Sequence, residues 1–133
     1  MIRVGIIFTL IIALAGVAWL EQHTIQGAYN KLERDVTTLG AIIMQADELN
    51  ERIDTEENIA MITRIYEWWL RQERRLSMLA RHFDFAQVST QLIYTKNFII
   101  FNNHEEAHVG ILQTRYLIKT HSFNVGTSIQ NVI

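Results

Sequence analysis

The chain has 133 residues, 12 of them basic and 14 acidic, for a net charge of -2, which suits one domain with an appendage rather than two separate cores. The slight acidic excess lacks the cationic surplus that nucleic-acid phosphates demand, so no nucleic-acid partner is expected. Cysteine is absent, which excludes disulfides, thiolate metal sites and cysteine nucleophiles. Proline is absent too, so the strongest helix breaker is missing and an all-α fold is expected.

Residues 4–20 read VGIIFTLIIALAGVAWL without a charge, between Arg3 and Glu21. As a helix this run covers about 25 Å, against roughly 30 Å of bilayer hydrocarbon, and Arg3 can snorkel to lengthen it. A cleaved signal peptide is the alternative, because Ala13-Leu14-Ala15 resembles a small-residue cleavage site. Against cleavage, the charged leader is minimal, the site falls early, and Val17, Ala18, Trp19 and Leu20 continue the apolar run. Trp19 also suits an interfacial aromatic belt. Residues 1–20 are therefore expected to be a transmembrane anchor in contact with lipid through residues 4–20. Arg3 and the amino terminus place the short side in the cytoplasm, and residues 21–133 form an extracytoplasmic helical bundle domain.

Beyond Glu21 the apolar positions Ile25, Tyr29, Leu32, Val36, Leu39, Ile43 and Ala46 alternate steps of four and three, a heptad seam that buries itself against other helices. No proline separates this seam from the apolar run, so one continuous rod is expected, with Gly27 as the only plausible hinge. Asp54 stands three residues before Glu57, and Glu56 and Glu57 favour a helix N-terminus, so a second helix is expected to start there. Its apolar face takes Ile62, Ile65, Tyr66, Trp69, Leu76, Leu79 and Phe83, its solvent side an i,i+4 pair of Glu67 and Arg71, and its end falls near Arg81 to Phe83. Asp84 and Gln87 repeat the capping spacing ahead of a third helix carrying Phe85, Val88, Leu92 and Ile99 to about Phe101. Asn102 and Asn103 make a turn. A fourth helix from about His104 to Thr120 buries Ala107, Ile111, Ile118 and Leu112 or Leu117, with Lys119 near its negative end. Gly126 breaks the pattern, and Ile129, Val132 and Ile133 dock as a short final helix. The expected architecture is an antiparallel bundle of four or so helices, the first continuous with the anchor.

From Trp68 onward, through the pair Trp68-Trp69, the step from Leu76 to His82 and Asp84, and the closing Ser128-Ile129-Gln130-Asn131-Val132-Ile133, the chain resembles the domain-of-unknown-function 4363 proteins. This uncharacterised bacterial family is mostly found in spore-forming Firmicutes, and its members look like single-pass proteins with a helical domain. The resemblance extends to the N-terminal anchor and implies the bacterial cytoplasmic membrane, but no reaction, substrate or cofactor. This chain lacks the usual proline before its closing segment.

The sharpest motif is His104-Glu105-Glu106-Ala107-His108, which matches the H-E-x-x-H pattern in which two histidines on one helical face bind zinc and the glutamate is the general base. Catalytic zinc needs a third protein ligand, and the extended pattern calls for Gly and His where Ile111 and Thr114 stand. His121 or His82 could serve only through folding. The plainer reading gives Glu105 and Glu106 to a helix N-terminus, with both histidines facing solvent. No enzyme activity, metal or cofactor is expected.

Trp68 and Trp69 point about 100 degrees apart on a helix and cannot share a face. Trp69 fits the apolar stripe, whereas Trp68 lies off it and reaches a neighbouring helix, the membrane surface or a partner. Arg71, Arg74, Arg75 and Arg81, with His82, concentrate positive charge that suits lipid headgroups, an acidic partner or simple solvation. Trp68, Arg71, Arg74 and Arg75 are therefore the candidate contacts with a partner or the membrane surface. Asp47, Glu48, Glu51, Asp54, Glu56 and Glu57 form an acidic stretch without calcium-loop spacing. The expected function is a non-enzymatic accessory or scaffold protein that meets a membrane protein or itself; the alternative is an extracytoplasmic sensor or small-ligand module.

Overall fold

The computed structural model describes residues 1–76 and 82–130, with side chains for 1–76 and 84–122. Four helices follow in order: α1 Ile2–Glu48, α2 Glu56–Leu76, α3 His82–Ile100 and α4 His104–Gln130. Each packs on its neighbours in the ring α1–α2–α3–α4–α1, α1 packs most extensively on α4, and across the diagonal Tyr29 of α1 stacks on Phe85 of α3. Gln26 meets Ser122 and Gly40 meets Ile111, so α1 and α4 run antiparallel. The result is a four-helix bundle, the arrangement expected of helices joined by short turns.

α1 holds 47 residues without a break, a rod of about 70 Å. Its two parts differ in what they bury. From Ile2 to Leu20 every large apolar side chain is more than half exposed, and this part is long and apolar enough to cross a membrane. From Ile25 onward the seven seam positions are all buried, joined by Ala28 and Gly40. Gly27 lies on the exposed side and introduces no hinge, because the helix runs through it.

Facing that seam are Ile62, Ile65, Trp69 and Leu76 of α2, Phe85, Val88, Leu92 and Ile99 of α3, and Ala107, Ile111 and Ile118 of α4. Nearest the apolar run, Tyr29, Trp69 and Phe85 form an aromatic triangle with ring centroids 5.4 to 5.8 Å apart, and the Trp69 indole donates to the Phe85 carbonyl at 3.1 Å. Leu117 packs against the core, whereas Leu112 is exposed. Thr95 and Thr114 are buried too, each hydroxyl returned to a carbonyl one turn back, of Gln91 and Gly110, so the seam accepts them without an orphaned donor.

Both turns at the far end use asparagine in the left-handed conformation. Asn50 has φ 53 and Asn102 φ 55, and each closes a helix with paired bonds: Glu51 N–H to Ala46 O and Asn50 N–H to Asp47 O, then Asn103 N–H to Phe98 O and Asn102 N–H to Ile99 O. This is the Schellman motif, with asparagine where glycine is commoner. The turns are tied together. The Asn102 side-chain oxygen accepts the Ile53 N–H at 2.8 Å, Asn58 donates to the Ile53 carbonyl at 3.1 Å, and Ile53 itself is fully buried.

Several sequence expectations need correction. The cap of α2 is Thr55, whose hydroxyl accepts the Asn58 N–H; Asp54 is instead held by Arg52 in a two-point pair at 2.8 and 2.9 Å, a geometry that outcompetes capping. Glu67 and Arg71 both lie on the outer face of α2, yet no ion pair within 4 Å joins them among the described residues. α3 starts at His82, so Phe83 belongs to it and Asp84 lies inside its first turn. α4 does not stop at Thr120 but continues through Gly126 to Gln130, since an isolated glycine costs a helix only about 1 kcal/mol. The expected end of α2, with Leu79 and Arg81, and the closing Val132 and Ile133 lie outside the described residues.

Candidate functional site

The H-E-x-x-H motif opens α4. Asn103 caps the helix by accepting the Glu106 N–H at 3.2 Å, and Glu105 and Glu106 sit in the first turn, where the helix dipole favours negative charge. Neither histidine faces solvent freely, contrary to the sequence reading. His104 is half-buried with Nε2 2.7 Å from the Glu51 carbonyl. A ring nitrogen facing a carbonyl must carry the proton, so Nε2 has no lone pair for a metal. His108 is half-buried and its Nδ1 meets no hydrogen-bond partner among the described residues. Both rings line a recess of about 470 Å³ with Asp47, Glu48 and Glu105, yet among the described residues no group of three His, Asp or Glu is placed to hold a metal ion. His121 lies 13 residues further along the same helix, about 20 Å away, and His82 begins α3 at the opposite end of the bundle.

The tryptophan pair divides as its geometry requires. Trp69 is fully buried in the aromatic triangle, while Trp68, 6.2 Å away between ring centroids, is half-buried at the α1–α2 boundary. There the Lys31 ammonium stands 4.5 Å above the Trp68 ring and 2.7 Å from Asp35, a cation–π contact backed by an ion pair. Trp68 and Met61 line a groove of about 400 Å³ together with the cations Lys31, Arg64 and Arg71 and the carboxylates Asp35 and Glu67. Among the described residues, neither Arg64 nor Arg71 has a carboxylate within ion-pair distance. Arg71, Arg74 and Arg75 are all exposed, so a groove of mixed charge with three cations and two carboxylates passes into an arginine-rich stretch beneath it.

A second polar constellation escaped the sequence reading. His121 is buried, both its ring nitrogens lack hydrogen-bond partners among the described residues, and Nδ1 lies 3.7 Å from the Asp84 carboxylate. Burial first, and the Asp84 charge second, push the Tyr29 phenol far above its ordinary value, because both disfavour a phenolate. The readable signal was register: in α4, Ala107, Ile111, Thr114, Ile118 and His121 share one heptad seam, and its polar members were passed over because they are polar. At the far end, the hydrogen bond from Arg52 holds the Asp54 carboxyl below its usual range.

No known family, curated protein or solved structure matches the chain.

Proposed function

We propose that this protein is a non-enzymatic, membrane-anchored scaffold, inserted through its first twenty residues in a bacterial cytoplasmic membrane. In this reading the N-terminus is cytoplasmic and the bundle presents the Trp68 groove to a membrane protein or a second copy of the chain. One observation carries it: the exposed apolar run and the buried seam belong to a single unbroken helix. A helix whose outward apolar side chains have no protein cover, stiffly joined to a bundle whose own seam is filled, suits a domain held at fixed height above lipid. The groove supplies the contact. A half-buried tryptophan beside Arg64 and Arg71, in a groove that Lys31, Asp35 and Glu67 complete, has the aromatic and arginine composition enriched at protein interfaces.

The test is a photo-crosslinker at Glu67, in the groove's lining, in native membranes washed with alkaline carbonate. The chain should stay in the pellet and give one adduct of defined mass that Trp68→Ala abolishes. Release into the wash, or a chain recovered only as a monomer, would refute the reading.

A further inference from the structure

We infer that the lower end of α2 is a lipid-contacting face, on which Arg71 and Arg75, with Arg74 beside them, bind the phosphates of anionic phospholipid headgroups. This rests on the anchored reading proposed above and adds to it a second attachment, on a helix other than the anchor.

Height is the first observation. Because α1 is continuous, residues past Leu20 rise along one axis at a known pitch, and Lys31 stands about 16 Å beyond the end of the apolar run. Lys31 covers Trp68, which sets the register of α2 against α1. Counting down α2 from that contact, Arg71 lies about 12 Å and Arg75 about 6 Å beyond Leu20. Headgroups occupy roughly the first 5–8 Å outside the hydrocarbon, and an extended arginine reaches several ångströms from its backbone. Both guanidinium groups can therefore meet phosphate without any movement of the bundle, and a guanidinium fork matches phosphate geometry.

Charge distribution is the second observation. Eight of the 14 acidic residues, Asp47, Glu48, Glu51, Asp54, Glu56, Glu57, Glu105 and Glu106, gather at the two far turns and the helix starts they cap. Their nearest cation, Arg52, is taken by Asp54. The long axis of the domain is thus negative at the tip and positive on α2 near the apolar run, and an anionic surface would hold it in this orientation. Three acids share the lower level: Asp84, in the first turn of α3 beside His121, Glu73, whose carboxylate accepts the Ser89 hydroxyl at 2.6 Å, and Glu21, at the foot of α1. Arg71 and Arg75 have no carboxylate within ion-pair distance among the described residues.

The test uses the full chain in mild detergent with equimolar phosphatidylglycerol and phosphatidylcholine, the bound lipids being counted by native mass spectrometry. Phosphatidylglycerol should be preferred, and Arg71→Gln with Arg75→Gln should lower the preference by about fivefold for each arginine, with helicity unchanged. Arg71→Lys with Arg75→Lys should retain most of it. Arg34→Gln with Arg115→Gln removes the same charge from exposed sites higher on the bundle and should leave the preference intact. Equal loss in this control set, or no preference in the parent chain, overturns the inference. So does a glutamine pair that loses a co-purifying protein while its lipid ratio stays constant. Carbonate washing of vesicles separates the two levels: a retained chain without lipid preference refutes the headgroup contact alone, whereas a released chain refutes the anchor as well.

Discussion

Replacing Asn102 with glycine isolates the hydrogen bond that joins the two far turns. Its backbone sits at φ 55, a region that glycine enters at no steric cost, so Asn102→Gly removes the side-chain acceptor without straining the turn. What is lost is the 2.8 Å bond from the Ile53 N–H, beside a side chain that is fully buried. Leaving such a donor unpaired costs about 1–3 kcal/mol, offset by about 1 kcal/mol of relieved left-handed strain. Asn50 is the internal control, with φ 53, an exposed position and no side-chain hydrogen bond. Asn50→Gly should be neutral, or stabilising by about 0.5–1 kcal/mol. The two variants should therefore differ by about 1–3 kcal/mol. With a urea slope of about 1–3 kcal/mol per molar, that separates their midpoints by roughly 1 M. The assay is urea unfolding of the full chain in micelles, followed by far-ultraviolet circular dichroism. Equal midpoints for the two glycine variants would show that the bond between the turns contributes nothing.

Two helical glycines should respond oppositely to alanine. A Cβ on Gly110 would collide with the Thr95 hydroxyl and come within 3.2 Å of its Cβ, so Gly110→Ala should destabilise by about 1–3 kcal/mol, while Gly27→Ala meets nothing within 4 Å and should stabilise by about 0.5–1 kcal/mol; the same urea midpoints report both. Trp69→Ala empties the aromatic triangle and should cost about 3–5 kcal/mol, whereas Trp68→Ala, at a half-buried position, should cost at most about 2 kcal/mol, the ranking being read from thermal midpoints. In an alkaline spectrophotometric titration, one of the four tyrosines should resist ionisation until the bundle opens, and Tyr29→Phe should remove that late step. A folded pKa above the unfolded value gives stability that is complete below about pH 10 and lost as pH rises further, so the Tyr29→Phe chain should also unfold less readily in alkali.

The seam of α1 was legible because a heptad repeat is a geometric signal that survives any choice of partner: Ile25 through Ala46 are buried as their spacing required. The stripes of α2 and α3 were legible for the same reason. What the sequence blurred were the helix ends, where short-range rules compete. Asp54 and Thr55 both suit a cap, and the choice fell to Thr55 because Arg52 engages Asp54. Gly126 read as a break, yet a single glycine is a small penalty against a long helix packed on α1. The groove around Trp68 was half visible. The sequence showed an off-stripe tryptophan above arginines, but Lys31 covers it from a helix 37 positions earlier, a pairing that depends on how α1 and α2 lie together. The buried His121 and the half-buried Asp84 beside it were missed because polarity masked their register.

The unbroken passage of α1 from its exposed run into the bundle makes residue number a measure of phase. One residue inserted between Leu20 and Ile25 would turn the whole bundle by about 100 degrees relative to the lipid-facing part and lift it by about 1.5 Å. Seven inserted residues would restore the facing to within about 20 degrees but raise every arginine of the bundle by about 10 Å. Orientation and elevation can thus be dialled separately by counting residues, which a flexible tether would not allow.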